Sequence, residues 1–368
     1  METSGETVAT GHAIAARTWM EIPRTEARLR WDGRVSGAHP LFAWSGSKLE
    51  FRFRGTAAKF RFRSLKDGGM DPAGRNFYNV YVDGKEAGSH QISAGNEAID
   101  VDGLSDSVHL VQLEKATEAQ CGRDELVGLS IFGELQMPEE AALKVRRIVF
   151  FGNSITAGYG IEDGNPLNSY GAETQNASVT YAAVASRLLK ASRSQICISG
   201  RGLVRNFDGT KDLLLPEFLE WTAPQDKSAW RESEPADVVV VEIGTNDFGL
   251  GDPGELAFVL AYQELVRRLM VRYPQAKIVL VDSPMLTDEW PVDPKTKQPT
   301  PSASLLQGYL AQVRGGLASA QRSRLSVFHF MPQGADVFGY GADYHPNRTQ
   351  AQCNGEELAE HIRKQAGW

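Results

Sequence analysis

The sequence predicts a doubly wound α/β parallel sheet preceded by an all-β, jelly-roll-like sandwich. Three observations carry this. From Trp31 to Leu135, apolar and polar residues alternate with a period of two, and no amphipathic helix interrupts them. From Arg147 onward, short apolar runs alternate with helical patterns, as in β-α units on a parallel sheet. Between the two periods stands the linker-like Met137-Pro-Glu-Glu, which divides the chain into residues 1–140 and 141–368. A chain of 368 residues is long enough for two domains.

In the first part, Leu49-Glu-Phe-Arg-Phe-Arg and Ala58-Lys-Phe-Arg-Phe-Arg predict two strands separated at Gly55-Thr56, each with one wet face. Their arginines read as a solvated face. Asn76–Val82 is a further strand, and Asp83-Gly84 after it is a hairpin turn. Val108–Leu113 and Leu126–Phe132 supply two more strands. Many short strands with turns between them form a two-sheet sandwich.

In the second part, the expected strands are Arg147–Phe151, Gln195–Ser199, Val238–Ile243, Ile278–Asp282 and Leu325–Phe330. They are nearly continuous apolar runs, as strands covered on both faces should be. The helices between them carry caps. Thr180 precedes the stripe Tyr181, Val184, Ala185, Leu188, and Asp252-Pro-Gly-Glu opens the next helix. Leu306, Leu310, Val313 and Leu317 form a third stripe, and Asn347 caps the last helix.

Composition narrows the function. Hydrophobic residues make up 42% and charged residues 23%, as in an ordinary globular chain. A net charge of −7 without a basic run argues against a nucleic-acid or anionic-membrane partner. No apolar stretch approaches a membrane span, and Met1–Ala16 lacks the charged and apolar regions of a signal peptide. Cys121, Cys197 and Cys353 make neither a disulfide framework nor a metal-ligand spacing; Cys197 reads as core, and a single disulfide is left open. Oligomeric state is not legible.

Ligands bind outside the carboxyl ends of strands in open parallel sheets. Four motifs fall there: Ser154 after the first strand, Ser199-Gly-Arg-Gly202 after the second, Gly244-Thr-Asn246-Asp247 after the third, and Asp343-Tyr-His345-Pro beyond the fifth. Each has an ordinary structural reading, as a helix cap, a tight turn, a polar loop or a surface pair. Together they supply what acyl transfer requires. Serine needs a neighbouring base, and histidine is suited to that near neutral pH. Two residues apart in an extended segment, Asp343 would reach the His345 ring and orient it. The backbone N–H groups of Ser154 and Gly202, with the Asn246 amide, would hold an oxyanion.

Gly-Asn-Ser-Ile-Thr, Gly202, Gly-Thr-Asn-Asp and Asp-x-His-Pro-Asn, in this order, resemble the four blocks of the SGNH (GDSL-like) hydrolases. The resemblance covers about Val145 to Trp368. It implies a flavodoxin-like sheet, Ser154 as nucleophile, Gly202 and Asn246 as oxyanion donors, His345 as base and Asp343 as its orienter. The sandwich with His109-Leu-Val-Gln-Leu-Glu-Lys-Ala-Thr-Glu, and the stretch Ser-Gly-Arg-Gly-Leu-Val-Arg-Asn-Phe-Asp-Gly, resemble carbohydrate esterase family 2. That family removes acetyl groups from plant polysaccharides and sugars, with preference for the 6-hydroxyl of hexopyranosyl units. Many of its members are secreted or periplasmic, and they commonly use an aromatic sugar platform. Trp290 is the candidate platform here, with a packed loop anchor as its other reading. One departure stands out: the family's first block usually has Asp before the nucleophile, and this chain has Asn153. Some members also replace the acid of the triad by a backbone carbonyl.

The expected function is therefore a metal-independent, cofactor-free serine deacetylase acting on acetylated polysaccharide or oligosaccharide. A lipid esterase or thioesterase on the same scaffold is the first alternative, because fold does not fix substrate. A carbohydrate-binding protein with an inactive hydrolase part is the second. The resemblance implies an extracytoplasmic location, and the missing leader leaves a cytoplasmic one open.

Overall fold

The computed structural model describes residues 18–35, 38–139, 146–231 and 235–368. The signal-peptide expectation for Met1–Ala16 and the expected division at residue 140 fall outside these residues.

The first unit is antiparallel throughout. Its strands are β1 (Trp19–Glu21), β2 (Arg30–Asp32), β3 (Leu41–Phe42), β4 (Lys48–Ser64), β5 (Asn76–Val82), β6 (Lys85–Ile92), β7 (Ala98–Val101), β8 (Ser107–Lys115) and β9 (Asp124–Gln136). The sheet path is β1-β9-β4-β8-β5-β6, with β2 and β7 joined to β4 and β3 to β9. The two strands expected on either side of Gly55-Thr56 are one strand of 17 residues. Straight, it would run about 55 Å at ~3.3 Å per residue, longer than one layer needs. A register shift against β9 between Gly55 and Ala57 relieves this, and β4 passes there from β8 to β7 as its partner. The two separate sheets of the sequence reading thus become one hydrogen-bonded system wrapped over a common core. Phe42, Phe51, Phe53, Phe60, Phe62 and Tyr78 dominate that core. The predicted hairpin at Asp83-Gly84 joins β5 to β6, with both residues at positive φ.

The second unit contains β10 (Arg146–Gly152), β11 (Ala191–Cys197), the small antiparallel hairpin β12 (Trp221–Ala223) and β13 (Asp226–Ala229), then β14 (Val238–Glu242), β15 (Lys277–Val281) and β16 (Leu325–Phe328). The main sheet is parallel, in the order β11-β10-β14-β15-β16. All five predicted strands are present. Alternate residues of one strand feed opposite layers: Val239 and Val241 face one apolar cluster, Val238 and Val240 the other. The helices are α1 (Ser154–Ala157), α2 (Tyr181–Leu189), α3 (Leu215–Phe218), α4 (Thr245–Phe248), α5 (Glu255–Arg272), α6 (Ser302–Gly315), α7 (Ser319–Arg322) and α8 (Arg348–Ala366). Thr180 caps α2 and Asn347 caps α8, as expected. The Asp252 cap is a correction. Gly254 precedes α5, and Asp252 instead accepts from the Gly254 N–H and the Tyr309 hydroxyl.

Strand order reverses between β10 and β14, so the crevice of this sheet opens above their carboxyl ends. The two units share core there. Ala43, Trp44 and Ala119 of the first belong to the larger apolar cluster of the second. The Trp44 indole N–H donates to Thr222 O at 2.8 Å, and its ring lies 6.0 Å from that of Phe218. Arg193 and Glu114 form a buried ion pair across the same boundary. Among the aromatics of the first unit, Trp44 and Tyr78 are buried and Trp31 and Phe77 are partly exposed. The three cysteines are free. No helix among the described residues is long and apolar enough to cross a membrane.

Candidate active site

β10 ends at Gly152, and the chain turns at once into α1. Asn153 is the N-cap: its side-chain oxygen accepts the Ile155 N–H at 3.0 Å. Ser154 is therefore the first helical residue, not the cap. Its N–H has no acceptor among the described residues, as expected at a helix start. Its side chain is 5% exposed, at the floor of a cleft of about 880 Å³.

His345 arrives from the loop before α8. The Ser154 hydroxyl donates to His345 Nε2 at 2.8 Å. His345 Nδ1 lies 3.2 Å from both Ala342 O and Asp343 O. Carbonyl oxygens only accept, so the proton sits on Nδ1 and Nε2 is left free to take one from serine. This corrects the expected role of Asp343. Asp343 and Tyr344 take left-handed backbone at φ 47° and 57°, not the extended form that would stack their side chains. The turn presents the Asp343 carbonyl to the ring and sends its carboxylate to the Tyr159 hydroxyl, at 2.6 Å. Tyr159 in turn stacks on His345, with centroids 4.2 Å apart and planes 26° apart. The loop is tied to the nucleophile's own turn by the Ala342 N–H on Gly160 O, at 3.0 Å. Only glycine fits at 160, because a Cβ there would lie 2.6 Å from the Ala342 Cβ. Burial pushes the His345 imidazole down to about 4, so it is neutral at neutral pH and its Nε2 is free to accept a proton.

Asn153 is explained by its second contact. Its amide N–H donates to Glu242 Oε1 at 3.2 Å, which an aspartate could not do. Glu242 is fully buried at the end of β14 and also accepts from Thr245 and Thr156. Burial pushes its carboxyl up to about 8. The acid beneath the nucleophile turn thus comes from the neighbouring strand.

The remaining wall is built on β11 and β14. Asn246 is 8% exposed and donates one amide hydrogen to Arg201 O at 2.8 Å, leaving a second hydrogen. Asp247 accepts the N–H groups of Leu203, Val204 and Arg205, and so shapes the loop after β11. Gly202 is not where the sequence reading placed it. Its N–H donates to Asn206 Oδ1 at 3.2 Å, and it is buried under the loop. A Cβ there would lie 2.0 Å from Arg205 O, so packing explains this glycine. Gly200 occupies the cleft wall instead, and its N–H has no acceptor among the described residues. The signal was present in the sequence, since Gly200 directly follows the expected strand Gln195–Ser199.

The mouth is lined by Phe207 and Trp290, which are 61% and 49% exposed. Trp290 was expected there, whereas Phe207, Tyr159 and Gly200 were missed. The first unit supplies the opposite wall: Asp67 to Met70 and Gln120 line the same cleft.

A serine hydrogen-bonded to a neutral, tautomer-fixed histidine, at the switch point of a doubly wound sheet, defines a class of serine hydrolase. Residues 150–352 match the GDSL-like Lipase/Acylhydrolase family, and the chain belongs to that family of carboxylic ester hydrolases. Residues 31–138 match the Carbohydrate esterase 2 N-terminal family. The chain is 30% identical over 331 residues to Cellulase/esterase CelE of Acetivibrio thermocellus; the match covers 89% of this chain and 38% of that protein. It is 26% identical to an acetylxylan esterase / glucomannan deacetylase of Cellvibrio japonicus, over 80% of this chain and 78% of the relative. A family two carbohydrate esterase from Clostridium thermocellum, solved in complex with cellohexaose, superposes with a TM-score of 0.79 at 29% identity. That match covers 92% of this chain and 99% of that one.

Proposed function

We propose that this protein removes O-acetyl groups from plant polysaccharides or acetylated sugars through an acyl-enzyme, with 6-O-acetyl hexopyranosyl units as the preferred substrate. The observation that carries the reading is the 2.8 Å hydrogen bond from Ser154 to His345 Nε2 inside a cleft with aromatic rims. The relatives named for acetylxylan and glucomannan support the substrate class.

Ser154 Oγ attacks the acetyl carbonyl while His345 Nε2 takes its proton. The carbonyls of Ala342 and Asp343 steady the imidazolium that forms. The N–H groups of Ser154 and Gly200 and the free amide hydrogen of Asn246 receive the oxyanion. His345 then protonates the sugar oxygen as it leaves, and water repeats the sequence to release acetate. Phe207 and Trp290 offer flat apolar faces to a pyranose ring. Residues 1–140 and 141–368 act as two units around one cleft, and a polysaccharide substrate places the activity outside the cytoplasm.

A substrate panel tests this. Acetate release is measured on acetylated glucomannan, acetylated xylan and long-chain acyl esters, with the position of loss read by NMR. Faster release of acetyl than of long-chain acyl groups, and loss at the primary position, is expected. Preference for long-chain esters would replace this reading with the lipid-esterase one.

A further inference from the structure

We propose that Glu118 and Gln120 of the sandwich position the Ser199–Gly200 peptide, so that the sandwich sets the geometry of the oxyanion site. The inference rests on the assignment of the Gly200 N–H as an oxyanion donor, made above.

It begins with the stretch His109-Leu-Val-Gln-Leu-Glu-Lys-Ala-Thr-Glu, to which the chemistry assigns nothing. Its first residues are β8. Beyond the strand the chain makes a turn held by Lys115, which is fully buried. The Lys115 ammonium donates to Thr117 O at 3.0 Å, Thr117 Oγ1 at 3.3 Å and Glu118 O at 3.1 Å. A buried lysine with three acceptors in one turn fixes that turn. The Glu118 N–H adds a bond to Gln175 Oε1 at 3.2 Å.

So anchored, the Glu118 side chain crosses into the other unit. Its Oε2 accepts the Ser199 N–H at 2.9 Å. Its Oε1 accepts the Ser199 hydroxyl, and also Gln175 Nε2 at 3.1 Å. Glu118 Oε2 further accepts Gln120 Nε2 at 3.0 Å, and the same Gln120 amide donates to Ser199 O at 3.3 Å. The backbone of Gln120 is held by the Met70 N–H on its carbonyl, at 2.9 Å. Both backbone groups of Ser199 are therefore held from the sandwich.

The consequence follows from the peptide bond. Ser199 C=O and Gly200 N–H belong to one planar trans unit and point in opposite directions. Fixing Ser199 O on Gln120 fixes the direction of the Gly200 N–H. Within the α/β unit the turn is closed by the Arg201 N–H on Ile198 O at 3.4 Å and held on its far side by the Phe207 N–H on Gly200 O at 3.1 Å, and neither bond reaches Ser199 O. An oxyanion donor acts through preorganised direction, and removing one typically costs about 10²–10³ in rate.

The test uses the full chain with Glu118→Gln, Gln120→Leu and, as an interface control, Asn79→Leu. Asn79 bonds Asn176 and Ser178 across the same boundary without touching Ser199. On an acetyl ester, Glu118→Gln and Gln120→Leu are expected to lower kcat by about 10–100-fold, with KM within about threefold, less than loss of a whole donor. Asn79→Leu should lower the melting temperature and leave kcat near wild type. Folded Glu118→Gln and Gln120→Leu proteins with wild-type kcat would overturn the proposal. So would a rise in KM alone, which would make Gln120 a substrate contact, or an equal loss of kcat in Asn79→Leu. If Glu118→Gln does not fold, Gln120→Leu decides. A wild-type protein that releases no acetate is a different failure and overturns the parent reading.

Discussion

The Ser154–His345 half of the cleft is held from within the α/β unit, whereas the Gly200–Asn246 half is held partly from outside it. Around the pair, each restraint is local to the unit: Asn153 caps α1, Ala342 rests on Gly160, and Tyr159 stacks on His345. Across the cleft, Asp247 shapes one loop from below while Glu118 and Gln120 grip the adjoining peptide from the sandwich. The contrast separates two tasks. The proton-transfer pair needs one distance, and short segments of one unit can set it. The proposed oxyanion site needs several donors converging on a point, and the second unit holds the peptide of one of them.

Mutations in the two halves should separate these tasks. Replacing His345 with alanine should cost the most, a fall in kcat of about 10⁴-fold or more, because the pair acts as a unit. In the wild type, kcat/KM should rise with pH through about 4, where His345 loses its proton, and stay flat through neutrality; a limb near 6.5 would mean an ordinary histidine. Asn246→Ala strikes the other half, and kcat should drop by about 10²–10³ with KM little changed. Asp343→Asn probes the orienting group. Because carbonyls hold Nδ1, the expected loss is less than about tenfold, where a carboxylate orienter would cost about 10⁴.

The smallest effect concerns stability. Glu242 has its carboxyl raised by burial from 4.5 to about 8, so the fold favours the protonated form. Its contribution is complete below about pH 4.5 and is lost as pH rises through 8. Thermal melts of the wild type should therefore fall between pH 5 and 9 relative to Glu242→Gln, and parallel curves would contradict this.

Much of the architecture was legible because it depends on periodicity. The apolar runs at Arg147–Phe151 and Val238–Ile243 read as strands covered on both faces, and the structure places them side by side. Ser154, Asn246 and His345 were singled out because their motifs fall in loops beyond strand ends and jointly fit acyl transfer, and the structure gathers them around one cleft. What failed depended on backbone geometry that residue types do not reveal. Asp343 was read as extended, yet two successive left-handed residues turn its carboxylate toward Tyr159. Gly202 was chosen over Gly200, yet the nearer glycine lines the cleft and the farther one packs beneath Asn206. The strand through Gly55 was cut in two because a bulge and a turn look alike in sequence. The contact of Glu118 with Ser199 was invisible in the sequence because the two lie 81 positions apart and in different units.

In the proposed function Ser154 carries acyl transfer on acetylated sugar. Acetate release from acetylated glucomannan by the wild type and by Ser154→Ala tests it most directly. Release by the wild type, with that of the variant reduced by at least about 10³-fold, is the expected result. A folded Ser154→Ala protein that releases acetate at the wild-type rate would contradict it.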